Sequence, residues 1–197
     1  MNAVPAQAAE DTSYSYRPSL LGAAWSFRLT GAGIAWEAGR KSGQIPYRTI
    51  NRIRMSYKPV SMQSQRFLTE VWAEGAPKLE IISSSWKSLV EQERLDKPYS
   101  AFVAELHRRT VAIDAQVRCE QGSNPIIYWS GLLVFIGVGL GLALLVVRSL
   151  QANTVGGAAF VGAFLAVFVW QGGNFLRRNR PGVYRPDAPP AELLPKG

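Results

Sequence analysis

The chain is poor in the residues that build covalent or metal-bound scaffolds. One cysteine, Cys119, and one histidine, His107, in 197 residues exclude a disulfide framework and a Cys/His metal cage. Charge of either sign is missing from two long stretches. Ile126–Val147 and Thr154–Leu176 contain no Asp, Glu, Lys, Arg or His. Ionisable groups inside membrane segments mark proton relays and ion paths, so their absence argues against a transporter. Catalytic sets are missing as well. No nucleophile–base pair, P-loop or dinucleotide fingerprint assembles, and Gly31-Ala32-Gly33 lacks a third glycine and leads into a strand. The expectation is a protein that is not an enzyme, with no cofactor and no metal.

What is present divides the chain sharply. The two charge-free runs are 22 and 23 residues long, and 22 residues of helix rise about 33 Å, enough for a hydrocarbon core of about 30 Å. Buried helices of soluble proteins rarely run so far without a charge. Met1–Pro18 is small and polar with no apolar core, so no cleaved signal peptide is expected. The runs therefore predict two transmembrane helices, 126–147 and 154–176, joined by a short external loop, 148–153. A six-residue loop forces an antiparallel hairpin. One cation, Arg148, lies in the loop, while Arg177, Arg178 and Arg180 follow the second run and Arg108, Arg109 and Arg118 precede the first. The positive-inside rule then puts both termini in the cytoplasm, with Trp129, Trp170 and the three following arginines as interface anchors. Small residues let helices approach closely in lipid. The expected packing ridges are Gly137 and Gly141 against Ala158, Gly162 and Ala166, within the hairpin or toward a second copy or partner.

Ahead of the hairpin the pattern is short strands and then one helix. Residues 1–19 read as a disordered tail, 20–121 as a cytoplasmic domain and 122–125 as a linker. Ser26–Thr30 and Gly33–Glu37 form a hairpin, Gly39–Gly43 a turn and Gln44–Tyr47 a third strand. Arg48–Tyr57 and Gln65–Glu74 alternate with period two. A loop, Lys58–Ser64, separates them, and Lys78–Ser84 follows Gly75-Ala76-Pro77. Ser85–Pro98 is either a last strand or a loop. Pro98 opens a helix capped by Ser100, and Tyr99, Phe102, Val103, Leu106, Thr110, Ile113 and Val117 form one apolar stripe. Arg108 and Arg109 lie off that stripe, and a lone helix histidine such as His107 is expected at the surface or partly packed.

The runs Phe27-Arg-Leu-Thr, Gly43-Gln-Ile-Pro-Tyr-Arg-Thr-Ile50 and Tyr99-Ser-Ala-Phe-Val-Ala-Glu-Leu-His107 resemble the bacterial pleckstrin-homology-like domain, over roughly residues 20–118. The resemblance implies an α+β domain: a strongly bent seven-stranded antiparallel sheet or partly open barrel, capped by a C-terminal helix and accompanying transmembrane helices. It implies no enzymatic activity. Phosphoinositide-binding members carry a basic residue followed on the next strand by a basic-x-Arg pair. Lys41 followed by Arg52 and Arg54 matches in type, but the first hairpin turn is uncharged and Lys41 sits one turn later, so the three are either a solvated strand face or an anionic-headgroup contact.

The charge total favours neither nucleic acid nor a strongly anionic ligand. Up to Pro125 there are 16 basic and 12 acidic residues, and after it 6 and 2, so the +8 is a sum of +4 and +4. The later excess fits stop-transfer charge better than a phosphate-binding stripe. The basic, proline-rich tail 177–197 is either a free end or docks through Tyr184, Leu193 and Leu194 on the domain or a partner. The expected partners are the lipid bilayer and another membrane or cytoplasmic protein, with a homo-oligomer open and nucleic acid excluded. The expectation is a multi-pass protein of the bacterial inner membrane, acting as a membrane-anchored interaction or scaffold protein. The alternatives are a subunit assembling through its hairpin and an anionic-lipid sensor.

Overall fold

The computed structural model describes residues 12–59, 65–88, 91–113 and 115–195. It separates into a β-rich unit, residues 1–120 with 183–197, and a helical unit, residues 121–182.

The β-rich unit begins within the expected tail. Thr12–Tyr16 is strand β1, and only residues 1–11 of that tail fall outside the described residues. The segment alternates, with Tyr14 and Tyr16 buried and Ser13 and Ser15 exposed, so its inner face carries two large rings. Strands β2 (Trp25–Leu29), β3 (Gly33–Ala38) and β4 (Lys41–Pro46) complete an antiparallel meander in the order β1-β2-β3-β4. The expected five-residue turn is tighter. Ala38 pairs with Lys41, so only Gly39 and Arg40 turn the chain, and Gly39 has φ +64°, a conformation glycine adopts without penalty. Gly43 therefore sits in β4 opposite Trp36.

A short 3-10 turn, Tyr47–Thr49, leads to β5 (Ile50–Tyr57), β6 (Phe67–Ala73) and β7 (Leu79–Ile82), a second antiparallel meander. Part of the expected loop 58–64, residues 60–64, lies outside the described residues. β1 finishes the edge of β7. The Tyr14 hydroxyl donates to the Ile82 carbonyl and the Tyr16 hydroxyl to the Glu80 carbonyl, so backbone acceptors of an edge strand are satisfied by side chains. After β1, Arg17 accepts from the Trp86 N–H at 3.1 Å and donates its own N–H to Ser85 Oγ at 3.0 Å. The open question over 85–98 resolves into a small hairpin of β8 (Ser84–Trp86) and β9 (Gln92–Arg94).

Helix α1 spans Asp96–Ala112, so it opens two residues before Pro98. Proline is tolerated in a first turn because its missing N–H has no helical acceptor there. Ser100 is consequently inside the helix rather than its cap, and Val117 lies beyond the end. Tyr99, Phe102, Val103 and Leu106 are fully buried. Tyr14 packs on Phe102 with ring centroids 5.6 Å apart, and Phe27 on Phe102 at 6.2 Å. Each such side chain contributes about 1.5–3 kcal/mol by leaving water. Two further strands, β10 (Arg118–Gln121) and β11 (Gly182–Val183), extend the second sheet to the order β11-β10-β5-β6-β7. The expected seven strands become eleven among the described residues, because residues 12–16 and 182–183, read as tails, also pair, as do 84–86 with 92–94 and 118–121 beside β5.

The helical unit is a hairpin of α2 (Pro125–Gln151) and α3 (Val155–Arg178). Asn124 caps α2, its side-chain oxygen accepting from the Ile126 N–H at 3.0 Å. The expected loop 148–153 is mostly helix, and the turn is confined to Ala152–Thr154. The helix ends are tied by the Ser123 N–H donating to the Asn179 carbonyl at 3.0 Å. Gly122 has φ +77°, and a Cβ there would stand 2.3 Å from the Arg180 carbonyl oxygen, so only glycine fits.

The seam between the helices corrects the expected ridges. Phe135 stacks on Phe168 with centroids 4.8 Å apart, and a Cβ on Gly172 would stand 2.2 Å from the Phe135 ring. Of the five expected packing residues, Ala158 is buried in the unit. Gly137 and Gly141 are exposed, and nothing lies within 4 Å of a Cβ built on Gly137, Gly141 or Gly162. Ala166 is also exposed. The reason is phase. At about 100° per residue, Gly137 and Gly141 lie 200° and 240° round the helix from Phe135, and Ala166 lies 200° from Phe168.

Candidate functional site

The basic triad splits between two sheets. Lys41 is exposed at the start of β4, in the first sheet, whereas Arg52 and Arg54 lie on β5 in the second. Cross-strand register decides what the arginines meet. Arg52 is opposite Trp72 and Arg54 opposite Glu70. The Arg52 guanidinium lies 3.9 Å from the Trp72 ring centroid, and the Arg54 guanidinium and the Lys78 ammonium approach it at 5.4 and 5.9 Å. This is a cation–π cluster. Arg54 also pairs with Glu120 at 2.5 Å, Glu120 with Arg118 at 2.9 Å, and Lys78 with Glu70 at 3.0 Å and Glu80 at 2.5 Å. Hydrogen bonds to the two carboxylates hold the Lys78 ammonium above its ordinary pKa.

Carboxylates and cations thus alternate over this face. An anionic headgroup at Arg54 must compete with Glu120, a partner already within contact. Of the three expected residues, Arg52 alone has its guanidinium stacked on a ring without a carboxylate partner among the described residues. The sequence reading missed Trp72 and Glu120, since their contribution depends on register and on β10 pairing beside β5.

A second constellation joins α1, β10 and the C-terminal tail. His107 Nδ1 lies 2.7 Å from the Val103 carbonyl and Nε2 lies 2.8 Å from the Tyr184 hydroxyl. A carbonyl only accepts, so Nδ1 carries the proton and Nε2 of the neutral ring accepts from Tyr184. Tyr184 also lies against Cys119, its backbone N–H donating to the Cys119 carbonyl at 3.0 Å. Burial pushes the Cys119 thiol up to about 11, the opposite of an activated nucleophile. His107 is 2% exposed, against the expectation of a surface or partly packed residue. Arg109, placed off the apolar stripe, is buried too: its Nη1 donates to the Thr30 carbonyl at 2.8 Å and its Nε to Glu105 at 2.6 Å.

Burial depresses the His107 pKa below its ordinary value of 6.5, outweighing the hydrogen bond to Val103. The folded state then binds fewer protons than the unfolded state from about pH 6.5 down to the folded pKa. Stability contributed by neutral His107 is present above pH 6.5 and is lost as pH falls through that window. Denaturant titrations of the full chain in mild detergent between pH 7.5 and 5.5 should show this, with a slope of at most about 1.4 kcal/mol per pH unit. His107→Phe should remove that slope even if it lowers stability throughout.

The tail closes this site. Tyr184 is largely covered, Leu193 in the 3-10 turn Ala191–Leu193 is 3% exposed, and Leu194 packs against the core. The alternative of a free end is corrected: the tail is docked on its own β-rich unit. In the helical unit, Trp129 and Trp170 are both exposed, near the start of α2 and the end of α3. Arg177 and Arg178 close α3 and Arg180 follows. Among the described residues no group of three or more His, Cys, Asp or Glu is placed to hold a metal ion. No protein-family model matches the chain, and neither a curated protein nor a solved structure matches it.

Proposed function

We propose that the chain is a membrane-anchored interaction protein, a non-catalytic β-domain of pleckstrin-homology-like type held at the cytoplasmic face of a bacterial inner membrane by a two-helix hairpin. One observation carries the reading. The best windows of α2 and α3 have mean hydropathy 2.6 and 1.7, yet 0% and 6% of those windows are buried. Core helices of a water-soluble protein would have that apolar surface covered. Here Leu133, Leu140, Phe160 and Phe164 stand exposed, a surface that lipid covers. The arginine asymmetry around the hairpin orients it, and the tryptophans and arginines gather where headgroups would lie. The two meanders followed by a packed helix support the domain type, and a fold of that type hosts binding.

Membrane fractionation tests the anchoring. The full chain should stay in the pellet through alkaline carbonate and 6 M urea and be released by detergent. Cysteines placed at Ala152 should be labelled only from outside, and cysteines at Ser88 only from inside. Release by carbonate, or the opposite labelling pattern, overturns the reading. Purification in mild detergent should then retain a protein partner and show no turnover dependent on a domain residue. The hairpin-assembly alternative has one observation in its favour: Gly137 and Gly141 face outward rather than into the hairpin seam.

A further inference from the structure

We propose that the outer face of the β1–β4 sheet is a two-fold interface with a second copy of this chain. The proposal concerns the β-rich unit and goes beyond the membrane reading, on which it does not depend. The outward residues form a grid set by register. One row reads Ser15, Ser26, Glu37, Ser42 across the four strands, and the next reads Ser13, Arg28, Ala35, Gln44. Five of these eight residues are serine or alanine, over a shallow groove of about 590 Å³. Its only charged members are Arg28 and Glu37. Both are exposed, and neither forms an ion pair among the described residues.

The four central positions carry the argument. Arg28 and Glu37 occupy one diagonal of the β2–β3 square, and Ser26 and Ala35 the other. When two such faces are stacked about a two-fold axis lying in the interface along the Ser26–Ala35 diagonal, Arg28 of each copy meets Glu37 of the other. Self-contacts then fall on Ser26 and Ala35, small enough for two sheets to approach. A two-fold interface requires this self-complementarity, in which residue i meets j and j meets i. The oppositely charged diagonal supplies register and specificity. By contrast, cations and carboxylates over β5, β6 and β10 neutralise one another within the chain, so the second sheet offers no such pairing.

The test uses the full chain in mild detergent. Ser26→Cys, on the axis, should give a covalent dimer with a short bis-maleimide, while the wild-type chain, whose Cys119 is buried, should not. Adding Arg28→Glu, or Glu37→Arg, should reduce that product at least tenfold. Adding both together should restore it to within about twofold, because the swapped charges again face each other. Ala35→Lys, which puts like charges on the axis, should abolish it without relying on either reversal. Near-ultraviolet circular dichroism verifies that each variant is folded. A dimer that persists through the single reversals, a double variant that stays monomeric, or no crosslink at Ser26 overturns the proposal. Hairpin-mediated dimers would ignore all of these charges, so failure here leaves the membrane reading standing.

Discussion

A chain lacking residues 1–18 should fail to fold its β-rich unit, although every other strand is retained. The truncation removes β1, and with it two buried rings that touch three other aromatic rings. Tyr14 packs on Tyr99 and Phe102, Tyr16 on Phe27, and the two pack on each other. Replacing a large buried aromatic by alanine costs about 3–5 kcal/mol, against a total stability of about 5–15 kcal/mol for a domain. Losing both rings consumes most of that margin. The damage extends beyond packing, because the Ile82 and Glu80 carbonyls lose their hydroxyl donors and β2 becomes an uncovered edge. Full chains with and without residues 1–18, compared in detergent, should differ in near-ultraviolet circular dichroism and by at least tenfold in the rate of limited proteolysis. Two point variants separate the contributions. Tyr14→Phe keeps the ring and should cost about 1–3 kcal/mol for the unsatisfied carbonyl, whereas Ser13→Ala, on the outer face, should stay within about 0.5 kcal/mol. An unchanged unfolding midpoint in the truncated chain would show that β1 is an ornament of the edge.

The same strand shows why part of the fold escaped a reading of the sequence. Thr12-Ser-Tyr-Ser-Tyr16 is small and polar by composition, and its period-two pattern consists of two tyrosines whose hydroxyls disguise an inner face. Hairpins with local signals were legible. Gly31-Ala32 and Gly39-Arg40 sit between alternating strands, and β2, β3, β5 and β6 fell close to their expected bounds. The two apolar helices were legible from length and absence of charge, because no tertiary contact is needed to recognise a run that water cannot solvate. Their ends were not, since Arg148 and Gln151 continue the helical hydrogen bonding beyond the apolar stretch. The inter-helix seam was misread because small-residue spacing says nothing of phase: large Phe135 against Gly172 fixes the contact, leaving Gly137 and Gly141 outside.

Long-range pairing hid the remaining features. Arg52 and Arg54 were visible as an alternating basic pair, but the residue that flanks them, Trp72, becomes their neighbour only through the β5–β6 register, and Glu120 only through β10. Charge neutralised in this way contributes little net stability at a partly exposed face, yet it determines which cations remain available to a ligand. Counting basic residues along the chain therefore overstates the attraction of this face for anions. The availability of Arg28 and Glu37, in contrast, follows from small neighbours that offer neither of them a partner.

Ending the chain after Arg180 should loosen the other side of the β-rich unit and expose Cys119 to reagents. The deletion removes Tyr184, which covers Cys119 and satisfies His107 Nε2, and Leu193 and Leu194, which pack into the core. Leu193→Ala alone should cost about 2–5 kcal/mol, and Tyr184→Phe about 1–3 kcal/mol, because the ring remains but the imidazole nitrogen is left buried without a donor. The thiol reports the change directly. With a pKa of about 11 in the docked state, roughly 0.1% of Cys119 is thiolate at pH 8, whereas an exposed thiol near 8.5 is about a quarter ionised. Maleimide or iodoacetamide labelling of the truncated chain in detergent should therefore accelerate at least tenfold, the gain in thiolate fraction exceeding the loss of nucleophilicity of the less basic thiolate. Tyr184→Phe should show an intermediate rate and Asp187→Asn, on an exposed part of the same tail, none of the effect. Equal labelling rates in the full and truncated chains would mean that the tail leaves Cys119 open to solvent, and the docked tail would lose its structural assignment.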